Sequence, residues 1–600
     1  MKTFNLTPLA AALGLLAAAP AFAAGIDFSG SNIYMKFLDG NQRAVDVGTA
    51  PEGGNGATNG GNDNGQWTEF ELRVKATISK QVEAGIRLQS RSPSAYWTDF
   101  GGFGGPEGTA TRSANMKARG GYILLTPGYG WLDTALIGAS DWGQFDPFTV
   151  GRVRYIDRDN YKGLYFKGGL PVKGASWEFA RLSLPNFLQS NFGQGAACCS
   201  SDSSQFQEAV YIAQAKATFG PAKLATSYQW FNDHQLKADT TPFDGRDAES
   251  FAKSTIFMLK GEGSIGSMVD LKGAYYRSTY KAPLFDQPWI NSPKSDISDS
   301  AYKIDVGLNN LLPGLGLNFQ LFNIGAGYYS NTASRFESDV LMTEGSEAAW
   351  FRWGSPIWTG GAAKDFNQGP TSPLCHVNGG GVCRTDSGLA AGANGLTNNE
   401  NMDFDEAPSE SVQGWKGITA QANYEIAKVS LSAEVTRLDY DYNWQNYSAT
   451  GPLSNYFALN NDRKTNIMVL KAGYVVPLAG GIELGAKYKL VDDKNKGQLA
   501  NATDDRDTKD TGYSLSAGNQ LFGDLYGQVS WGKYKRDITK SGAAIKNDKS
   551  ILSLRLAYNL AGFEAGLLSQ WIRGDGDPLE TGTPVDLRQY RMKAFLKAIF

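Results

Sequence analysis

The chain has 600 residues, 57 Lys and Arg against 60 Asp and Glu, and a formal net charge of -3. That balance excludes a nucleic-acid protein, which carries a basic domain, and two histidines, His234 and His376, leave little for imidazole-based metal or acid–base chemistry. No apolar run long enough for a membrane helix follows the leader, so a helical membrane protein is excluded, whereas a β-barrel, with strands only half apolar, is not.

Residues 1–23 have the layout of a secretory signal. Lys2 supplies the positive end, Leu9 to Ala19 the apolar run, and Ala21-Phe22-Ala23 a small-x-small cleavage site. The mature chain is expected to begin near Ala24 and to form one domain over 24–600. Export leads to an oxidising compartment, where Cys198, Cys199, Cys375 and Cys383 can pair in any of three connectivities. Their spacing matches neither a zinc site nor a haem-attachment motif, so they read as structural staples of connecting segments.

Beyond the leader the dominant pattern has period two. Phe70, Leu72, Val74, Ala76 and Ile78 alternate with Glu71, Arg73, Lys75 and Thr77. The same alternation recurs at Tyr302 to Leu308, Ile482 to Leu490 and Leu552 to Tyr558, and it puts one row of side chains on each face of a strand. The connections alternate as well. Short turns fall near 80–83, 127–130, 220–222, 425–428, 477–481 and 560–562. Long polar segments fall near 39–66, 92–114, 184–206, 231–252, 278–299, 330–411, 443–463, 491–510 and 573–586. The pattern predicts an all-β, transmembrane antiparallel barrel of about 22 strands (range about 20–24), with short periplasmic turns and long extracellular loops. Trp131, Tyr228, Trp230, Tyr440, Tyr442, Trp531, Tyr534 and Trp571 lie near strand ends and are expected to form interfacial girdles.

Charges on a lipid face are costly, so the basic residues of the strands should point inward. Lys36, Arg73, Lys75, Arg87, Arg91, Lys117, Arg119, Arg591 and Lys593 fall on the first four strands and the last. These strands are neighbours once a barrel closes, and together they predict a basic wall. Lys260, Lys272, Lys303, Lys487, Lys489 and Arg555 add to it. Acidic residues gather instead in the connections. Lumen cations favour anion passage. Two segments are candidates to narrow so wide a pore. One is 330–411, with Trp350, Phe351, Arg352, Trp353 and Trp358; the other holds Arg152, Arg154, Arg158 and Lys162.

The last strand carries a family resemblance. Tyr590, Met592, Ala594, Leu596, Ala598 and Phe600 form one apolar row ending in an aromatic residue, with Arg591, Lys593 and Lys597 on the other. Together with the leader and the hairpin rhythm, this resembles the Gram-negative outer-membrane β-barrel porins over essentially the whole chain. The resemblance implies an outer-membrane location among its lipids and recognition of Phe600 by the barrel-assembly machinery. Alternation beginning at Ile33, Met35 and Phe37 departs from TonB-dependent receptors, which place a globular plug first. The layout also resembles porins of metal-respiring bacteria, some associated with uptake of oxyanions such as selenite. The expected function is a non-enzymatic channel, without cofactor or metal, for passive uptake of small hydrophilic solutes, with oxyanions or carboxylates preferred. The alternative is a barrel scaffold that sheaths a periplasmic or surface multihaem cytochrome for electron transfer.

Overall fold

The computed structural model describes residues 26–46, 63–92, 115–139, 142–150, 162–183, 208–233, 253–281, 296–325, 328, 340–344, 414–440, 464–477, 480–495, 506–540, 543–576 and 585–600. The leader, all four cysteines, Arg152, Arg154, Arg158 and Arg352 lie outside them.

Twenty-two strands make up the fold. The first seven are β1 (Asn32–Asp46), β2 (Asp63–Ser79), β3 (Val82–Ser92), β4 (Asn115–Leu125), β5 (Thr134–Ala139), β6 (Lys162–Gly169) and β7 (Ala175–Ser183). The next seven are β8 (Glu208–Phe219), β9 (Ala222–Asp233), β10 (Lys253–Ile265), β11 (Val269–Lys281), β12 (Asp296–Asn309), β13 (Leu315–Ile324) and β14 (Trp415–Ile426). The last eight are β15 (Val429–Tyr440), β16 (Lys464–Val476), β17 (Ile482–Asn495), β18 (Arg506–Phe522), β19 (Leu525–Lys540), β20 (Ala543–Leu560), β21 (Phe563–Gly576) and β22 (Val585–Ile599). Each pairs antiparallel with the next, and β1 pairs with β22 from Asn32↔Ile599 to Asp46↔Val585. The sheet is therefore a closed barrel with no free edge. At the seam, the Phe600 carbonyl accepts from Gly30 N at 2.9 Å and Phe600 N donates to Ser31 O at 2.9 Å.

One face of the wall is an exposed apolar belt. Met35, Ile86, Ile123, Leu259, Leu271, Ile304, Leu321, Val435, Leu470, Leu515, Val529, Leu552 and Leu596 all stand on it. Water is the wrong solvent for so much contiguous apolar surface, and lipid is the right one. The other row of every strand faces the lumen. Strand alternation thus sorts lipid-facing from lumen-facing residues as the periodicity predicts.

Among the described residues, which exclude Tyr442, the aromatic girdle is smaller than expected. Tyr228, Trp531 and Trp571 are exposed on the outer row, Trp131 is exposed in the turn before β5, and Trp230 stacks on Tyr211 with ring centroids 5.0 Å apart. Tyr440, by contrast, is buried on the lumen row, with its hydroxyl 2.6 Å from Thr465 Oγ1. Tyr534 also belongs to the lumen row, since its outward neighbours are Trp531 and Lys533. Strand-end position alone does not tell which face a residue takes; parity does. Several predicted loops are shorter too, because strands run on into them. The stretches 39–46 and 506–510 are strand, and only residues 541–542 separate β19 from β20.

The short β5 bends at Gly138, which has φ +123°. A Cβ there would sit 2.0 Å from the Gly121 carbonyl oxygen and 2.7 Å from Tyr122 Cα on the paired strand. Backbone cannot yield as a flexible side chain can. Gly138→Ala should therefore cost about 1–3 kcal/mol. The check is the temperature at which the purified barrel loses its fast-migrating folded band in gel electrophoresis, which should fall by several degrees.

Candidate functional site

The lumen of the barrel is lined unequally. On β10 to β16 the inward row includes an apolar patch where a hydrated pore would need polar groups. Ile256, Met258, Tyr276, Ala301, Phe322, Ile324, Leu438, Ile467 and Val469 are all buried. What covers them is a second layer of chain folded inside the barrel. It is made of residues 142–150, which follow β5, and of Tyr328 and residues 340–344, which follow β13.

The first strip is anchored through Asp146 and Phe148. Asp146 Oδ1 accepts from Tyr276 OH at 3.0 Å and from Phe148 N at 3.0 Å, and Oδ2 faces Lys260 Nζ at 3.3 Å. The Phe148 ring lies 4.7 Å from that of Tyr276. Trp142 and Phe145, both buried, meet Tyr165 edge-on. The two strips also hold each other. Tyr328 OH donates to Phe148 O at 2.8 Å. Lys303 donates to Val340 O at 2.8 Å while its ammonium stands 5.4 Å over the Phe148 ring. Burial of the Tyr328 phenol, with Asp146 nearby, raises it well above its ordinary range, so it remains a donor.

The second strip is fastened by a buried carboxylate. Glu434 accepts from Thr343 Oγ1 at 2.8 Å, Glu344 N at 2.9 Å and Gln421 Nε2 at 2.9 Å. A charge withdrawn from water needs such a set of donors. Met342 is held at both ends, its N donating to Gln320 Oε1 and its O accepting from Gln421 Nε2. The Glu344 side chain meets two lysines, Lys471 at Oε1 and Lys487 at Oε2, and its carbonyl accepts from Lys489 Nζ at 3.0 Å. Burial alone would raise the Glu344 carboxyl, but the bonds from Lys471 and Lys487 outweigh it and hold the group below the usual carboxylate range.

In a ring of this size β2 and β3 stand half a turn away from β13 and β14, across the lumen from the second strip. Here the wall is polar and basic. Arg73 and Arg87 are register partners on the inward row, and both engage Glu71, Arg87 through Nη2 at 2.6 Å. Lys75 pairs with Glu83 at 3.0 Å, and Glu83 accepts from Tyr122 OH at 2.7 Å. Arg555 projects inward from β20 with no ion pair among the described residues. Lys36 and Lys593 are buried beside the β1–β22 seam, and Lys597 meets Glu564 at 3.3 Å. Glu71 thus sits between two guanidiniums on this wall.

Of the sequence-predicted lining, Lys36, Arg73, Lys75, Arg87, Arg555 and Lys593 stand on the lumen row. Arg91, Lys117, Arg119 and Arg591 belong to described strands, but their side chains lie outside the described residues. Lys260, Lys303 and Lys489 have a different role: they fasten the inner strips instead of lining an open wall, while Lys487 meets the Glu344 side chain and stays partly exposed to the lumen. Phe600 is exposed at the end of the outer row. Sequence reasoning missed Asp146, Tyr276, Tyr328, Glu344 and Glu434, which build the inner layer.

No family model matches the chain, and no curated protein does. Solved structures are similar at low identity. The siderophore receptor PirA from Pseudomonas aeruginosa is 10% identical with a TM-score of 0.35, over 95% of this chain and 80% of that one. OccK9 (OpdG) from the same organism is 10% identical with a TM-score of 0.33, over 95% and 98%. A loop-deletion form of OmpT, an outer membrane protein of Vibrio cholerae, is 7% identical with a TM-score of 0.22, over 96% and 100%. Such likeness carries no argument by itself; the closed register and the apolar belt do. The chain is a transmembrane β-barrel of the outer-membrane type.

Proposed function

We propose that the protein is an outer-membrane channel for passive entry of small hydrophilic solutes, with a preference for anions. What supports this most directly is the contrast between the two sides of the lumen. The β10–β17 side is partly covered by chain that engages Lys260, Lys303, Lys471, Lys487 and Lys489. The β1–β3 and β20–β22 side keeps Arg73, Arg87 and Arg555 facing the interior. Barrels of about 22 strands are too wide to be filled by wall side chains alone, and here the inner strips take up part of the section. The solute path then runs off-axis, between the strips and the basic wall.

The mechanism is electrostatic enrichment. Cations in a narrow, partly desolvated passage raise the local concentration of oxyanions and carboxylates and lower their entry barrier. The same residues oppose cation entry. Export through the 1–23 leader and insertion through the Phe600 strand belong to this proposal. The test is the reversal potential of the purified barrel in a planar bilayer under a KCl gradient. Anion preference is expected; cation preference would overturn the selectivity, and absence of any conductance would overturn the channel.

A further inference from the structure

We infer that Lys471, Lys487 and Lys489 form a station for a small anion on the lumen wall, and that the carboxylate of Glu344 occupies it as a tethered stand-in. The inference rests on the channel reading above and names a place where a permeating anion would pause.

The argument begins with the wall. Lys471 on β16 and Lys487 on β17 are direct register partners, and Lys489 follows on the same row of β17. Like charges placed opposite each other on neighbouring strands destabilise a sheet. An anion between the ammonium groups relieves that repulsion. Glu344 does so, with one carboxylate oxygen on each lysine. Both lysine side chains keep contact with the lumen, 48% and 40% exposed, so the station can be reached by water and solutes.

The second part concerns Glu344 itself. Its carboxylate is not what fastens its strip. Glu434 holds Thr343 and the Glu344 amide, Gln320 and Gln421 hold Met342, and Lys303 holds Val340. Removing the Glu344 side chain therefore leaves five other hydrogen bonds to keep the backbone in place. Lys489 still reaches the Glu344 carbonyl. A carboxylate held by two lysines through charge-assisted hydrogen bonds, on an independently anchored backbone, can exchange for a carboxylate or oxyanion of similar size. The ligand class is thus a small carboxylate or a tetrahedral oxyanion. Because the stand-in is covalently tethered, it competes at high effective concentration, so the station stays weak toward free anions and does not trap them.

The experiment compares the wild-type barrel, Glu344→Ala and the triple variant Glu344→Ala/Lys471→Gln/Lys487→Gln, each first shown to be folded by its heat-sensitive gel mobility. Chloride current in planar bilayers is titrated with sodium sulfate and, separately, with sodium succinate. In Glu344→Ala the half-blocking concentration of one or both should fall at least about tenfold below wild type, and the triple variant should lose that gain. A fall with sulfate alone assigns the station to oxyanions, and with succinate alone to carboxylates. Equal values in wild type and Glu344→Ala would overturn the inference, as would a gain that survives in the triple variant. Calorimetric titration of sulfate and succinate into detergent-solubilised Glu344→Ala reads the same station without conduction. A barrel that binds either anion there but carries no current would overturn the channel reading alone.

Discussion

Replacing Arg73 and Arg87 together by glutamate should turn an anion-preferring pore into a cation-preferring one. The two guanidiniums face each other across β2 and β3 and share Glu71, so the pair places two positive charges on that stretch of wall. A unit charge about 6 Å from a passing ion in water-like surroundings is worth about 0.7 kcal/mol, and salt trims this. The double substitution changes four units of charge, and the change acts with opposite sign on cations and anions. The cation-to-anion permeability ratio should therefore rise at least about tenfold. The measurement is the reversal potential in a KCl gradient, with Arg73→Gln/Arg87→Gln as an intermediate step that should move it about half as far. If neither variant moves the reversal potential, the β2–β3 wall does not border the path.

Deleting 335–405 should raise single-channel conductance, by about twofold or more in a barrel this wide. The deletion removes residues 340–344, and with them the contacts to Lys303, Gln320, Gln421, Glu434, Lys471, Lys487 and Lys489. It also frees those lysines, so anion preference should rise along with conductance. That joint change separates an inner layer from an ordinary surface loop. Loss of a surface loop would alter neither quantity. Unchanged conductance and selectivity would show that the path does not pass the β13–β17 wall.

Much of this architecture can be read from the chain alone, because a barrel strand repeats a simple rule. Phe70 to Ile78 and Ile482 to Leu490 alternate cleanly, and each lies in a strand whose outer row faces lipid. Arg73, Arg87 and Arg555 fall on the row opposite the apolar one in that alternation. Aromatic character at a strand end does not fix the face, as Tyr440 and Tyr534 on the lumen row show. The inner layer was harder to read, but it left a trace. Ile256-Phe257-Met258-Leu259 and Ile467-Met468-Val469-Leu470 are unbroken apolar runs inside barrel strands. A strand apolar on both faces is covered on both faces, which in a barrel means that chain folds inside. The partners of that cover could not be read. Asp146 and Glu344 look like ordinary loop acids, and only the fold brings them to lysines more than a hundred residues away in sequence.

The pairing of β1 with β22 has a consequence for how the protein comes into being. The two strands most distant in sequence are hydrogen-bonded neighbours along fifteen paired positions. Every other pairing joins consecutive strands and can form hairpin by hairpin, at an entropic cost that grows only slowly with the length of the connection. The seam cannot. Until it closes, β1 and β22 both present raw edges with unpaired amides and carbonyls, which lipid will not satisfy and which other chains can extend. The incomplete sheet is therefore the hazardous species on the folding route, and it persists for as long as both edges wait for each other. A catalyst that cradled those edges would act at the one step the sequence cannot make local.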